Sequence, residues 1–155
     1  FFQISDIAPF MGLGTHIGLI LVYLGGSIGF NSWLIKGFMD TISPSLDEAA
    51  KVDGATDFQI FRRIIAPLSR PILVVIFVIT FIGIYSDFIL AAIFLKDKNL
   101  WTVAVGINTV FIDDFNADWG VIAASSVIAA TPIAVLFIFF QKQITGGLTA
   151  GSVKG

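Results

Sequence analysis

The chain has 155 residues, 56% hydrophobic and only 13% charged, with a formal net charge of −2 and a mean hydropathy of +0.92. Ordinary soluble domains hold about 45–50% apolar and about 25% charged residues, so this balance reads as a membrane-embedded chain. The small charge gives no basis for nucleic-acid binding, the absence of cysteine excludes disulfides and thiolate chemistry, and a single His16 excludes multi-histidine metal clusters.

No basic n-region opens the chain, so no signal peptide is expected. The start at Phe1-Phe2, without Met, reads as the edge of a longer protein. Three stretches are long and apolar enough to cross a bilayer, which takes about 20 residues at about 1.5 Å each. The first runs from about Phe10 to Ile35 and carries Gly12, Gly14, Gly18, Gly25, Gly26 and Gly29. Small residues there are expected to let neighbouring helices approach closely. His16, near the outer end of this span, reads as a packed or interfacial histidine rather than a ligand.

A polar segment follows. Ser45 and Glu48, with Pro44 just ahead, form a Ser-x-x-Glu capping box that predicts a helix from Leu46 to about Asp53. Gly54 suits its end, since glycine takes left-handed angles without steric penalty. Thr56 and Gln59 form a second box; the helix behind it carries Phe58, Phe61, Ile64 and Ile65 and should stop near Pro67. Ala49 and Ala50 give the first helix a smooth face able to sit close to another surface. Local physics leaves two readings open: Glu48 and Gly54 only cap and end a helix, or the helix pair is a grip for a soluble partner.

The second span runs from about Ile72 to Leu95 and contains Asp87, an expensive residue at membrane depth. Tyr85, Ser86 and Asp87 either line a polar path across the membrane, or mark a structural break with Asp87 paired to a neighbouring helix or close to the outer surface. Between about Lys96 and Gly120 lies a polar loop with Trp101, Phe111, Phe115 and Trp119, read as interfacial anchors in preference to the packing of an ordered loop. The third span, about Val121 to Phe140, contains Pro132, which should kink it. The tail holds Gly146, Gly147, Gly151 and Gly155, open to a disordered terminus or an extended path along another backbone.

Seven of the nine basic residues lie between the first two spans or after the third, which makes that side cytoplasmic, the N-terminus outside and the C-terminus inside. The expected fold is an all-α membrane protein: one domain, three transmembrane helices, a cytoplasmic helix–turn–helix at 44–67, an outer loop at 96–120 and a cytoplasmic tail at 141–155.

Glu48-Ala49-Ala50, then Gly54, Ile64 and Pro67, resembles the EAA loop of ABC importer permeases; Ala66 stands where the family usually has leucine before the proline. Thr15-His16-Ile17-Gly18, Tyr23-Leu24-Gly25-Gly26, Thr102-Val103-Ala104-Val105-Gly106 and the ending from Gly147 to Gly155 look like maltose/maltodextrin permease subunits of the MalG type. The resemblance covers essentially the whole chain and corresponds to the C-terminal half of a six-span type I importer subunit.

The resemblance implies a non-catalytic transport subunit in the bacterial inner membrane, working with a homologous MalF-type permease, a MalK-type ATPase dimer and a periplasmic sugar-binding protein. No cofactor is expected on this chain, since ATP and Mg would bind the ATPase. Glu48, Ala49, Ala50, Asp53, Gly54, Ile64 and Pro67 would couple to that ATPase. Asn116, Trp119 and Gly120 would belong to a periplasmic scoop loop, and Gly147, Leu148, Thr149, Gly151 and Lys154 to a tail reaching the ATPase. On this view Tyr85, Ser86 and Asp87 would line a sugar path. The alternatives are a permease for another oligosaccharide, a channel or secondary transporter, and an intramembrane enzyme. An enzyme would need converging acids or nucleophiles at membrane depth, where only Asp87 stands, and a channel leaves the capped helix pair without a purpose. There is no Gly-x-x-x-x-Gly-Lys-Ser/Thr loop, so any ATP is hydrolysed elsewhere.

Overall fold

Thr15 starts the first helix: its hydroxyl accepts from the Gly18 amide at 3.1 Å and donates to the Gly12 carbonyl at 2.8 Å. In the computed structural model, which describes residues 12–112 and 119–149, helix α1 (His16–Met39) then runs for 24 residues. At about 1.5 Å per residue that is about 36 Å, enough to cross a bilayer. Ile20, Leu24, Ile28 and Phe30 are exposed along it, as expected where lipid replaces water. No neighbour comes within 4 Å of a side chain built at Gly25, Gly26 or Gly29, so the close helix approach expected there does not occur among the described residues.

Two short helices follow, α2 (Pro44–Val52) and α3 (Asp57–Ile60), then a π turn at Phe61–Ile65 and one more turn, α4 (Ala66–Leu68). The stop expected near Pro67 falls at Leu68. Beyond it the chain bends by 61° where α4 meets α5 (Arg70–Tyr85). Pro67 and Pro71 both lack an amide donor, and buried Ser69 stands between them. Its hydroxyl donates to the Ile65 carbonyl at 2.7 Å. A π turn absorbs one extra residue and commonly marks such a joint.

The second span differs from expectation. Helix α5 has 16 residues, too few to cross alone, and ends at Tyr85. The chain breaks at Ser86–Phe88 and resumes as α6 (Ile89–Phe94). The presumed outer loop is also largely ordered. A 3-10 turn at Lys98–Leu100 leads to α7 (Val103–Ile112), capped by the Thr102 hydroxyl accepting from Val105 at 3.4 Å. This segment folds because its apolar residues have a core to enter, and Val105 is buried there. Helix α8 (Trp119–Thr149) is the second helix that can cross by itself, with helical backbone unbroken through Pro132. Gly147, Leu148 and Thr149 are its last residues, so the start of the tail is helical rather than extended. Adding a residue to an existing helix gains one hydrogen bond, which offsets a glycine penalty of about 1 kcal/mol. Asn116, Phe115, Gly151 and Lys154 lie outside the described residues.

The described residues fall into two compact units. One comprises those within Phe1–Ile28 and Thr80–Ile138. Its core is Leu19, Ala91, Leu95 and Val105, with Tyr23, Phe88 and Trp101 packed against them. Trp101 therefore packs into an ordered region rather than anchoring in lipid, while Trp119, 80% exposed, suits an anchor. His16 is exposed and tied to a neighbouring segment: its Nε2–H donates to the Leu100 carbonyl at 3.0 Å. The other unit comprises those within Gly29–Ile79 and Phe139–Gly155, with Ala50, Ile60, Ser69, Ile76 and Val78 buried and Phe77 edge-on to Phe140 at 5.8 Å.

Leu95 is fully buried. Leu95→Ala should lower stability by about 2–5 kcal/mol, the usual cost of a core cavity, read as the thermal midpoint of the full-length subunit in detergent.

Candidate functional site

The first helix of the polar segment begins earlier than its capping box suggests. Ser43 is the N-cap and Pro44 the first helical residue, a position that suits proline because its missing donor would be unpaired there anyway. The Ser45 hydroxyl meets that of Ser43 at 2.8 Å, not Glu48. Glu48 is thereby carried five residues past the cap, beyond reach of the cap amide, so the reading of Glu48 as a mere helix cap does not hold. Its exposed side chain instead lines a groove of about 490 Å³ that combines Met39, Ile42 and Ile65 with Asp47 and Lys51.

The helix ends on a Schellman motif. Asp53 is the C-cap, Gly54 has φ +79, the Gly54 amide donates to the Lys51 carbonyl at 3.0 Å, and the Ala55 amide to the Ala50 carbonyl at 3.0 Å. The second capping box forms as expected: the Thr56 hydroxyl accepts from the Gln59 amide at 3.4 Å, and the Gln59 side chain accepts from the Thr56 amide at 2.9 Å. An exposed Lys51–Asp57 pair at 3.5 Å crosses the turn, worth little in water.

Three further predicted site residues are placed as follows. Ala50 is buried within the segment, so only Glu48 and Ala49 of the Glu-Ala-Ala run face outward. Ile64 is half-buried in the π turn and Pro67 is exposed next to the bend. Met39, Ile42 and Ile65, which line the groove, carry no motif of their own; only their nearness to the helix ends pointed to them.

At the break after α5, Tyr85 stacks on Phe81 at 5.5 Å and Ser86 is exposed. Asp87 takes the structural reading. Its Oδ1 accepts from the Ile89 and Leu90 amides at 3.0 and 3.4 Å, and its Oδ2 accepts from the Tyr23 hydroxyl at 2.8 Å. Tyr23 escaped the sequence reading, although a lone phenol in an apolar span is a natural partner for a lone carboxylate. Trp119 and Gly120 open α8.

The sequence family described as the binding-protein-dependent transport system inner membrane component matches residues 7–148. The chain belongs to this family. It is similar to the maltose/maltodextrin transport system permease protein MalG of Vibrio vulnificus (46% identical), of Photorhabdus laumondii (45%) and of Escherichia coli K12 (44%). Each alignment covers 100% of this chain and 52% of the relative, so the chain spans about half the length of the curated relatives it matches. A membrane component of a transport system fits the long apolar helices and the absence of strands among the described residues.

Gly54→Ala should destabilise the loop by about 1–2 kcal/mol, because a side chain is strained at this positive φ; hydrogen exchange at the Ala55 amide checks it. Tyr23→Phe should lower overall stability by about 1.5–3 kcal/mol, the scale of a hydrogen bond to a charged group. Asp87→Asn, which keeps the oxygen that accepts the two amides, should be milder than Asp87→Ala by thermal unfolding.

Proposed function

We propose that this chain acts as a permease subunit of a binding-protein-dependent ABC importer for maltose and maltodextrins. Its transport is driven by ATP and Mg bound to partner ATPase subunits of the MalK type. A homologous MalF-type permease and a periplasmic sugar-binding protein complete the machine. The observation that carries this reading is the capped helix–turn–helix at Pro44–Ile60, which puts an uncommitted Glu48 and a small Ala49 on an outward face. The similarity to MalG proteins along the whole chain supports the sugar class.

The physical logic is force transmission. In this reading the loop is cytoplasmic and docks in a cleft of the ATPase through Glu48 and Ala49. Asp53 and Gly54 hold the turn by the Schellman bonds, and Ala50 packs the pair internally. Ile64 and Pro67 pass the motion to the joint at Ser69. A helix pair whose connecting turn is closed by hydrogen bonds on both sides moves as a unit, whereas a loose loop would dissipate the displacement. Tyr85 and Ser86 contribute to the polar wall of the path, with Asp87 as the positioning residue that holds the break open. Asn116, Trp119 and Gly120 serve the periplasmic scoop, and Gly147, Leu148, Thr149, Gly151 and Lys154 approach the ATPase. The N-terminal side lies outside and the C-terminus inside, consistent with the basic residues.

The test is maltose uptake into vesicles holding the full-length subunit, its partners and the binding protein. Uptake should require ATP. Gly54→Pro removes the amide that donates to Lys51 and forbids positive φ, so it should reduce uptake at least about tenfold while the complex still assembles. Unchanged uptake in that variant would overturn the coupling role. ATP-independent uptake would favour a channel or secondary transporter, and uptake of a different oligosaccharide alone would reassign the sugar.

A further inference from the structure

Three arginines have no task in the mechanism above. Arg62 and Arg63 sit in the π turn and Arg70 is the first residue of α5; all three are exposed. The ion pairs Lys36–Asp40 and Lys51–Asp57 do not involve these arginines.

Their position relative to the apolar segments is informative. Arg70 is the only charge in the sixteen residues of α5, so it stands where the hydrocarbon-compatible stretch begins. The Ser69 hydroxyl contacts the Met39 sulfur at 3.8 Å, which sets the end of α1 at the same level. Exposed Trp33 precedes that end by about 9 Å along the helix, the depth of an interfacial aromatic. The 61° bend turns residues 57–68 away from the α5 axis, so an α5 that enters a bilayer leaves this segment at an angle to it. That bent segment exposes Phe58, Phe61 and Leu68 beside Arg62 and Arg63. Exposed aromatic and aliphatic side chains next to basic ones are the composition of a segment that lies in a lipid interface.

We propose that Arg62, Arg63 and Arg70 bind the phosphate headgroup of an anionic phospholipid and so hold the joint at the membrane surface. Guanidinium groups match phosphate oxygens in paired hydrogen bonds and are weakly hydrated. Phe58, Phe61 and Leu68 enter the acyl boundary beside them. An acidic soluble partner fits less well, because it would leave these apolar side chains and the membrane-level Arg70 without a complement. The proposal depends on α5 entering the bilayer and not on the sugar or on ATPase coupling.

The experiment places the full-length subunit, assembled with its partner subunits, in nanodiscs of phosphatidylcholine with increasing phosphatidylglycerol. Bound lipid is then weighed by native mass spectrometry after release into detergent. The wild type should retain phosphatidylglycerol preferentially. Arg62→Gln/Arg63→Gln/Arg70→Gln should lose that preference, at about fivefold per arginine, and Lys96→Gln/Lys98→Gln should keep it. If the triple variant does not assemble, Arg70→Gln alone is read the same way. Equal retention in variant and wild type would overturn the proposal, as would equal loss in the lysine control. Displacement of the lipid by inorganic phosphate at equal concentration would make this a free-anion site, and loss of a partner subunit with lipid retention intact would assign the arginines to a protein. Because the readout is bound lipid, a failure of coupled transport leaves it unaffected.

Discussion

Hydrocarbon offers no hydrogen-bonding partner, so backbone amides at membrane depth have to be satisfied by protein. Helices meet that demand along their length, and the informative places are where helical bonding stops. At several such places a side chain takes over. Thr15 and Thr102 accept from the amides of the helices that they open. Asp87 accepts two amides where the second span is interrupted. Ser69 bonds the Ile65 carbonyl between two prolines. Asp87 is therefore better understood as a repair of the backbone than as a stray charge: its cost at membrane depth is met by two amides and the Tyr23 hydroxyl.

The same accounting explains the stiffness of the polar helix pair. Both ends of the turn are closed by specific bonds, the Schellman pair around Gly54 and the reciprocal box of Thr56 and Gln59. Pro44 shifts the start of the first helix towards the N-terminus, and that shift removes Glu48 from capping. A motif glutamate is then available for an external contact, because it stands five residues past the Ser43 cap. Lateral stability of the long helices is a different matter. The most apolar stretch of α8 buries none of its residues within the chain, and the glycine face of α1 is open. Both are surfaces that belong against lipid or another helix.

The sequence by itself determined the class of protein, because apolar length and low charge admit few alternatives. It also determined the all-α character, the long apolar helices of the first and third spans, the Gly54 turn and the Thr56–Gln59 box, since these depend on residues close together in the chain. The similarity to binding-protein-dependent permeases was legible for the same reason: Glu48, Gly54 and Pro67 form a local pattern of fixed spacing. Only tertiary structure decided the rest. Val103–Ile112 reads as part of a loop until Leu19, Ala91 and Leu95 provide the core that Val105 enters. Trp101 passes for a membrane anchor until that same core receives it. The role of Asp87 rests on Tyr23, 64 residues away, and the bend at Ser69 on two prolines acting through a π turn. Local bonds are written in neighbouring residues, whereas burial and long-range pairing depend on which distant segments the folded chain brings together.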